Sequence, residues 1–585
     1  MINSADALSS PALLVRHEQL IRAFILIGLL ARCIRYFLRF PLWEDECFLC
    51  VNFIDRGYAE LLQPLNYQQV APALFLWIEL TMVKLFGYNE LSLRLFGFIC
   101  SIASLFLFRH VASRLLKGMP QLIAVGVFAV AYPGIRYAAE AKQYASDMLV
   151  GLVLLALAVE WWLADCRRTR QKLLWSLTAF IPLAMALSLP AVFAAGGVSL
   201  FIACVLIQQA SSARYVESSE RTTPSSGEWC VPKTPLSLRS ILSDGQWIAW
   251  GTFNAVLVTC FAILMLLAAK DTNVAAMDHY WNYVFPPLTT PWRLPIWFLT
   301  IHTGELLAYP IGGGRGASAL TFICIVCAII ALWKERRWSL LILMLASPFI
   351  HMTASALHRY PYGGHVKFSQ HMAGIICLLC GIGTAALLSW LARRERLVRQ
   401  VAMAAVLYLM VIGISSMTRD VLLPYKTESD MRARAFAEWF WFNAGFDSEV
   451  LCAKNDLGQN FCPKMYDELS WAAMYQCNKH IYSPQRPPVE QRLARVTTDH
   501  PLRCVVYRDP RYEFDQAAFD RWMNDMTSRY RLIGTETFAF PRFAKREEEC
   551  RTIDYLDEYR FVPRQQVAVL DSQDIHTASR VKPRD

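Results

Sequence analysis

Long apolar runs decide what this chain can become. A helix that crosses a bilayer needs about 20 consecutive, largely apolar residues. Runs of that kind occur near 20–40, 92–113, 120–135, 145–165, 173–189, 190–208, 246–269, 317–333, 338–356, 371–391 and 399–416. The reading is a multi-pass α-helical membrane protein with about 11 transmembrane helices. Composition agrees: 55% of residues are hydrophobic and 18% charged, with a mean hydropathy of +0.29, where soluble domains carry about 25% charged residues. Bulky Phe40, Pro41, Leu42 and Trp43 follow the first run in place of a small-residue cleavage site, so it reads as a retained signal-anchor helix.

Orientation follows from the basic residues in short loops, which favour the cytoplasm. Arg109/Arg114/Lys117, Arg167/Arg168/Arg170/Lys172, Lys334/Arg336/Arg337 and Arg393/Arg394/Arg396/Arg399 fall on one side, together with the Ser-rich loop 209–245 carrying Arg214, Arg221, Lys233 and Arg239. The formal charge of +10 is spread over these clusters, a pattern that points to loops and away from nucleic acid. The run 68–87 would reverse this count if it crossed. It is therefore laid along the outer interface as an amphipathic helix, with Glu79 and Lys84 toward the head groups. The N-terminus is then cytoplasmic, in the inner or plasma membrane of the cell envelope, and the polar stretches 41–91, 136–144, 270–316 and 357–370 share the outer face.

The division is a transmembrane domain over 1–416 and an extracytoplasmic soluble α/β domain over 417–585. In the latter, Cys504–Tyr507 and Leu532–Phe540 read as strands and Met431–Asn443 as a helix. Its Cys452, Cys462, Cys477, Cys504 and Cys550 would meet an oxidising compartment and could form up to two disulfides of undetermined pairing. Cys47 and Cys50 lack the context of a redox or metal motif and read as helical neighbours.

Three outer-face stretches carry chemistry. Glu44, Asp45 and Glu46 emerge just after the first apolar run, where a carboxylate could serve as a general base toward a lipid-borne group or simply be solvated. Arg136, Glu140, Lys142, Gln143 and Tyr144 follow, with Arg136, Glu140 and Gln143 or Tyr144 at helical spacing. They fit either a ligand site or an i,i+4 pair closing a helix end. His358, Arg359, His365 and Lys367 surround the turn Pro361-Tyr362-Gly363-Gly364, as phosphate ligands or as interfacial anchors. The loop 270–316 adds His279-Tyr280-Trp281, Phe285, His302, Glu305 and Gly312-Gly313-Gly314-Arg315.

Trp43-Glu44-Asp45-Glu46 after the first run, Gln69-Val70-Ala71-Pro72, Leu85 to Arg94, Arg136 to Tyr144 and Tyr360 to Gly364 occur in this order. On those motifs the chain, over roughly residues 15–390, resembles the protein O-mannosyltransferase-like, polyprenyl-phosphate-sugar-dependent glycosyltransferases of the C-type membrane fold. The resemblance implies that Asp45 is the catalytic base, paired with Glu46. It also implies that Arg136, Glu140, Lys142, Tyr144, Arg359, His365 and Lys367 bind substrate. Relatives often carry Arg where Lys142 stands, and an Arg near His365 and Lys367. The implied partners are a polyprenyl-phosphate-linked sugar donor, a glycan, lipid or protein acceptor hydroxyl, and membrane lipids. No cofactor is required, although a divalent metal is compatible. The alternative is a secondary transporter or lipid flippase, whose ionisable residues should lie near mid-membrane on broken helices.

Overall fold

The computed structural model describes residues 11–221, 245–268, 281–313, 316–390, 395–422, 434, 449–454, 456–462, 477, 480–481, 488–508, 513–541 and 553–564. The expected helix Met431–Asn443 (Arg434 apart), Cys550, His279-Tyr280, Gly314-Arg315 and most of the loop 209–245 lie outside the described residues. Two compact units emerge. One comprises Met1–Phe40 with Arg56–Tyr425, and the other Pro41–Asp55 with Lys426–Asp585.

The first unit is helical. Among the described residues seven helices are long and apolar enough to cross a membrane: Glu90–Leu115, Tyr144–Leu163, Ala191–Ser211, Gly245–Leu266, Trp338–Ala356, Val366–Trp390 and Arg396–Leu422. An eighth is counted if Met119–Val130 and Tyr132–Ala139, bent by 44°, form one span. The other three apolar runs also fold as helices. Pro11–Phe37 carries Arg22, Arg32 and Arg35, Arg167–Leu187 starts with a basic turn, and Ala319–Lys334 has only 16 residues.

Charges in the first helix are absorbed by neighbours, as charge in an apolar bundle requires. Arg32 is fully buried. Its Nε donates to Ser101 Oγ at 2.8 Å and its Nη1 to the carbonyls of Gly28 and Ala129, each at 2.9 Å. Gly28 permits that approach, since a Cβ there would lie 2.7 Å from Ala129 O. Arg35 meets Asp420 of Arg396–Leu422 at 2.6 Å, both buried.

The helix Ala73–Phe86 has 14 residues, too few to span. Its charges do not both point outward as expected. Lys84 is exposed, with its ammonium 4.3 Å from the Tyr58 ring centre, but Glu79 is buried on the face that packs Phe75, Leu76 and Leu80 inward. The next helix is capped at its start, the Asn89 side chain accepting from the N–H groups of Leu91 and Ser92 at 3.0 Å.

The second unit holds a four-stranded sheet in the order β1-β2-β4-β3, from β1 (Glu449–Cys452), β2 (Leu502–Arg508), β3 (Tyr530–Pro541) and β4 (Ile553–Pro563). β1 and β2 are parallel, while β4 is antiparallel to both β2 and β3. The helix Gln516–Arg529, capped by Asp515, buries Trp522 and Met526 in the same core as Leu502, Cys504 and Phe561. Cys504 is a buried thiol outside any disulfide.

Candidate functional site

The acidic stretch forms a short helix, Glu44–Cys50. Glu46 is fully buried, and its Oε2 accepts the Trp43 N–H at 3.2 Å, which fixes the first turn. Asp45 is half-buried beside it. Cys47 and Cys50 are buried in the same segment, Cys47 Sγ–H donating to Leu42 O at 3.5 Å. Asn52 continues the local bonding through its Nδ2, which donates to the carbonyls of Phe48 and Leu49.

In the helical unit, the stretch 136–144 is not one helix. Tyr132–Arg136 and a 3-10 turn at Tyr137–Ala139 end at Glu140, whose backbone is extended, and the next helix begins at Tyr144. The break turns Arg136 and Glu140 onto each other as a buried ion pair and releases Lys142 in a different direction. Lys142 is 5% exposed and its ammonium donates to Gln69 Oε1 at 2.6 Å. Tyr144 is buried against Tyr137, ring centres 4.8 Å apart.

The turn 357–365 closes over this break. Tyr137 Oη stands 3.5 Å from His365 Nδ1, which also accepts the Lys367 backbone N–H at 3.2 Å. Gly363 and Gly364 have φ of +82° and +70°, a left-handed pair that suits glycine. A Cβ on Gly364 would collide with Val284, so the turn is seated directly on the segment 282–285. That segment brings Trp281, whose ring centre lies 5.0 Å from the Lys367 ammonium, and Phe285, stacked on His358 at 4.7 Å. Arg359 is exposed on the turn, with no side-chain partner among the described residues. Burial pushes the hydroxyls of Tyr360 and Tyr362 well above the ordinary tyrosine pKa, and Tyr362 takes a 3.1 Å hydrogen bond with His302 Nε2.

The helical unit therefore joins 66–72, 136–144, 281–313 and 357–370 at one end of the bundle, and with them Arg136, Glu140, Lys142, Tyr144, His365 and Lys367. Sequence reasoning missed the parts played by Gln69, Tyr137 and Trp281. Gln69 sits in a motif already singled out, whereas Tyr137 and Trp281 looked like any interfacial aromatic. Among the described residues no group of three or more His, Cys, Asp or Glu is arranged to hold a metal ion.

No protein-family model matches the sequence, and no curated protein matches it. Solved structures are similar in three dimensions. ArnT from Cupriavidus metallidurans in the apo state has 12% identity, covering 92% of this chain and 97% of its own, with a TM-score of 0.48. The same protein bound to undecaprenyl phosphate gives 12%, 92%, 97% and 0.47. The archaeal oligosaccharyltransferase AglB from Archaeoglobus fulgidus, in complex with an inhibitory peptide and a dolichol-phosphate, has 10% identity over 84% of this chain and 69% of its own, with a TM-score of 0.42. Likeness at this level assigns no role to any residue of the present chain.

Proposed function

We propose that this protein is an integral membrane glycosyltransferase that moves a sugar from a polyprenyl-phosphate carrier to an acceptor hydroxyl at the outer face. The observation that carries the reading is the buried ammonium of Lys142, held by Gln69 at 2.6 Å at the bundle end where His365 and Lys367 also lie. A buried cation is costly to build. It suits the singly charged phosphodiester of a lipid-linked sugar, and still better the phosphate that this diester releases, and both reach such a site from the membrane.

In the proposed reaction the acceptor oxygen attacks the anomeric carbon opposite the carrier, and the bond to the phosphate oxygen breaks with inversion. Polyprenyl phosphate leaves with the electron pair. Asp45 takes the acceptor's proton, and Glu46, which fixes the first turn of its helix, keeps that carboxylate oriented. Lys142, Lys367 and His365, with Arg136 steered by Glu140 and Tyr144 beside it, offset the charge growing on the leaving phosphate. Arg359, exposed on the same turn, is assigned a share of that task. Protein cations perform this task in the proposal, with no step assigned to a metal.

The 44° break before Arg136 favours the second reading, a transporter or flippase, because broken helices line many transport sites. One experiment separates the two. Purified protein is incubated with a panel of polyprenyl-phosphate sugars labelled in the sugar, together with glycan, lipid and peptide acceptors. Transfer of label to an acceptor supports the enzyme, whereas label that crosses a vesicle membrane still joined to its lipid supports the transporter.

A further inference from the structure

Close to the phosphate-facing residues lies a polar cluster that the proposed reaction does not use. Asp147 follows Lys142 by five residues and His371 follows His365 by six, so both elements that carry the cations continue into it. His351 joins them from the helix Trp338–Ala356. Its ring is stacked on Phe193 at 4.8 Å, 5.1 Å from His371 and 5.3 Å from Tyr360. Asp147 stands one turn before Gly151 on the helix Tyr144–Leu163, and a Cβ on Gly151 would collide with His371 O, so this helix packs directly on the His371 segment.

The hydrogen bonds in this cluster do not close. Asp147, His351 and His371 are 2%, 0% and 4% exposed. Asp147 Oδ1, His351 Nδ1 and both ring nitrogens of His371 have no protein partner. On the same face of the His351 helix, one turn to either side, Ser347 and Ser355 are buried with unpartnered hydroxyls. Buried polar groups are almost always paired, and an orphan costs about 1–3 kcal/mol. A run of them in a membrane bundle signals a ligand that completes them.

The chemistry of that ligand can be read from the donors and acceptors. His351 Nε2 donates to Pro361 O at 2.8 Å, which leaves Nδ1 as an acceptor. Asp147 Oδ1 accepts, His371 offers one donor and one acceptor, and the serines do both. An anion, which brings no donor, would leave the His351 Nδ1 acceptor unpaired, and no three ligating side chains among the described residues are arranged for a metal. Hydroxyl groups, each both donor and acceptor, satisfy such a mixture. Phe193 and Tyr360, with ring centres 5.1 Å apart and edge to face, supply apolar walls for the C–H face of a ring. We infer that the Asp147–His351–His371 cluster is a hydroxyl-recognising subsite that selects the sugar carried by the donor lipid.

This inference rests on the donor reading above, and its test keeps the two apart. Full-length protein in nanodiscs is titrated with a bare short-chain polyprenyl phosphate and with the same lipid bearing one of several hexoses or pentoses. In wild type, one sugar-bearing lipid should bind at least tenfold more tightly than the bare carrier and than its epimers. His371→Asn and Asp147→Asn should cut that preference about tenfold each while the affinity for bare carrier stays within twofold. Ser355→Ala, the mildest change, should cut it about threefold, and it remains informative if the other two fail to accumulate. Undiminished sugar preference in folded variants would leave the cluster as a site for ordered water and overturn the inference alone. Failure of wild type to bind even the bare carrier would overturn the donor reading and this inference together.

Discussion

Replacing Lys142 by methionine tests the donor reading at its most constrained atom. The side chain is 5% exposed and its ammonium is already aimed by Gln69 at 2.6 Å, so a phosphate would meet a charge that pays little further ordering entropy. Removing one partner of a buried, hydrogen-bonded charge pair costs about 2–5 kcal/mol, and each 1.4 kcal/mol is about tenfold in affinity. The range is about 30-fold to a few thousand-fold. The lower end applies here, because His365 and Lys367 reach the same end of the bundle and Gln69 keeps a share of the ammonium. Methionine keeps the length of the side chain, and the melting temperature of the variant shows whether it folds. Titration of bare short-chain polyprenyl phosphate into nanodisc-embedded protein should show a Kd about 30- to 100-fold weaker than wild type. Lys142→Arg should recover part of the loss, and Gln69→Leu, which keeps the charge but not its orientation, should lose about 3- to 10-fold. A Kd within threefold of wild type for a properly melting Lys142→Met would refute the phosphate role.

Asp45→Asn should accumulate normally yet turn over about 10²–10⁴-fold more slowly with the correct donor, while Glu46→Gln should be milder and combine with it less than additively. Turnover near wild type in Asp45→Asn would remove the base assignment. In the sheet, burial raises the Glu558 pKa, but hydrogen bonds from Arg503 and Arg560 outweigh it and hold the carboxyl below its ordinary value. A folded-state pKa below the unfolded one, about 4.3, gives stability that is present above pH 4.3 and is lost as pH falls through the folded value. Hydrogen exchange in β2 and β4 should therefore accelerate below about pH 4, and Glu558→Gln should flatten that pH dependence at a cost of about 3–5 kcal/mol from the stranded Arg503. A reporter fused after Ser416 should be active outside the cytoplasm and one within 209–245 inside; the reverse pattern would move the site to the other face.

The parts of the fold that were legible in the sequence are those whose partners are near in sequence or generic. Apolar length announced the spans, and Cys504–Tyr507 and Leu532–Phe540 lie within β2 and β3. β4 was not legible. It is interrupted by Asp557, Glu558 and Arg560, yet Glu558 is fully buried because Arg503, 55 residues away, meets it with both ends of its guanidinium at 2.5 and 2.8 Å. Glu79 escaped for the same reason of burial by distant packing. The break at Glu140 was hidden by a spacing that also suits a continuous helix. Six of the nine candidate site residues converge in the helical unit, but Gln69, the group that holds Lys142, is an acceptor recognisable only once two segments 73 residues apart are brought together.

The same physics divides the buried polar residues of the helical unit into two kinds. Arg32 and Arg35 find protein partners in Gly28, Ser101, Ala129 and Asp420, although Arg32 Nη2 and Arg35 Nε stay unpaired. Such groups brace helices, and a substitution there strands a partner and weakens the bundle. Asp147, His351 and His371 are as deeply buried but leave acceptors and donors open. Where such a group is deleted outright the unpaired cost goes with it, so Ser355→Ala in the same cluster should leave stability level or raise it. That sign distinguishes a recognition site from a structural network without any substrate in hand, because residues kept for binding are the ones whose removal the empty protein does not resist.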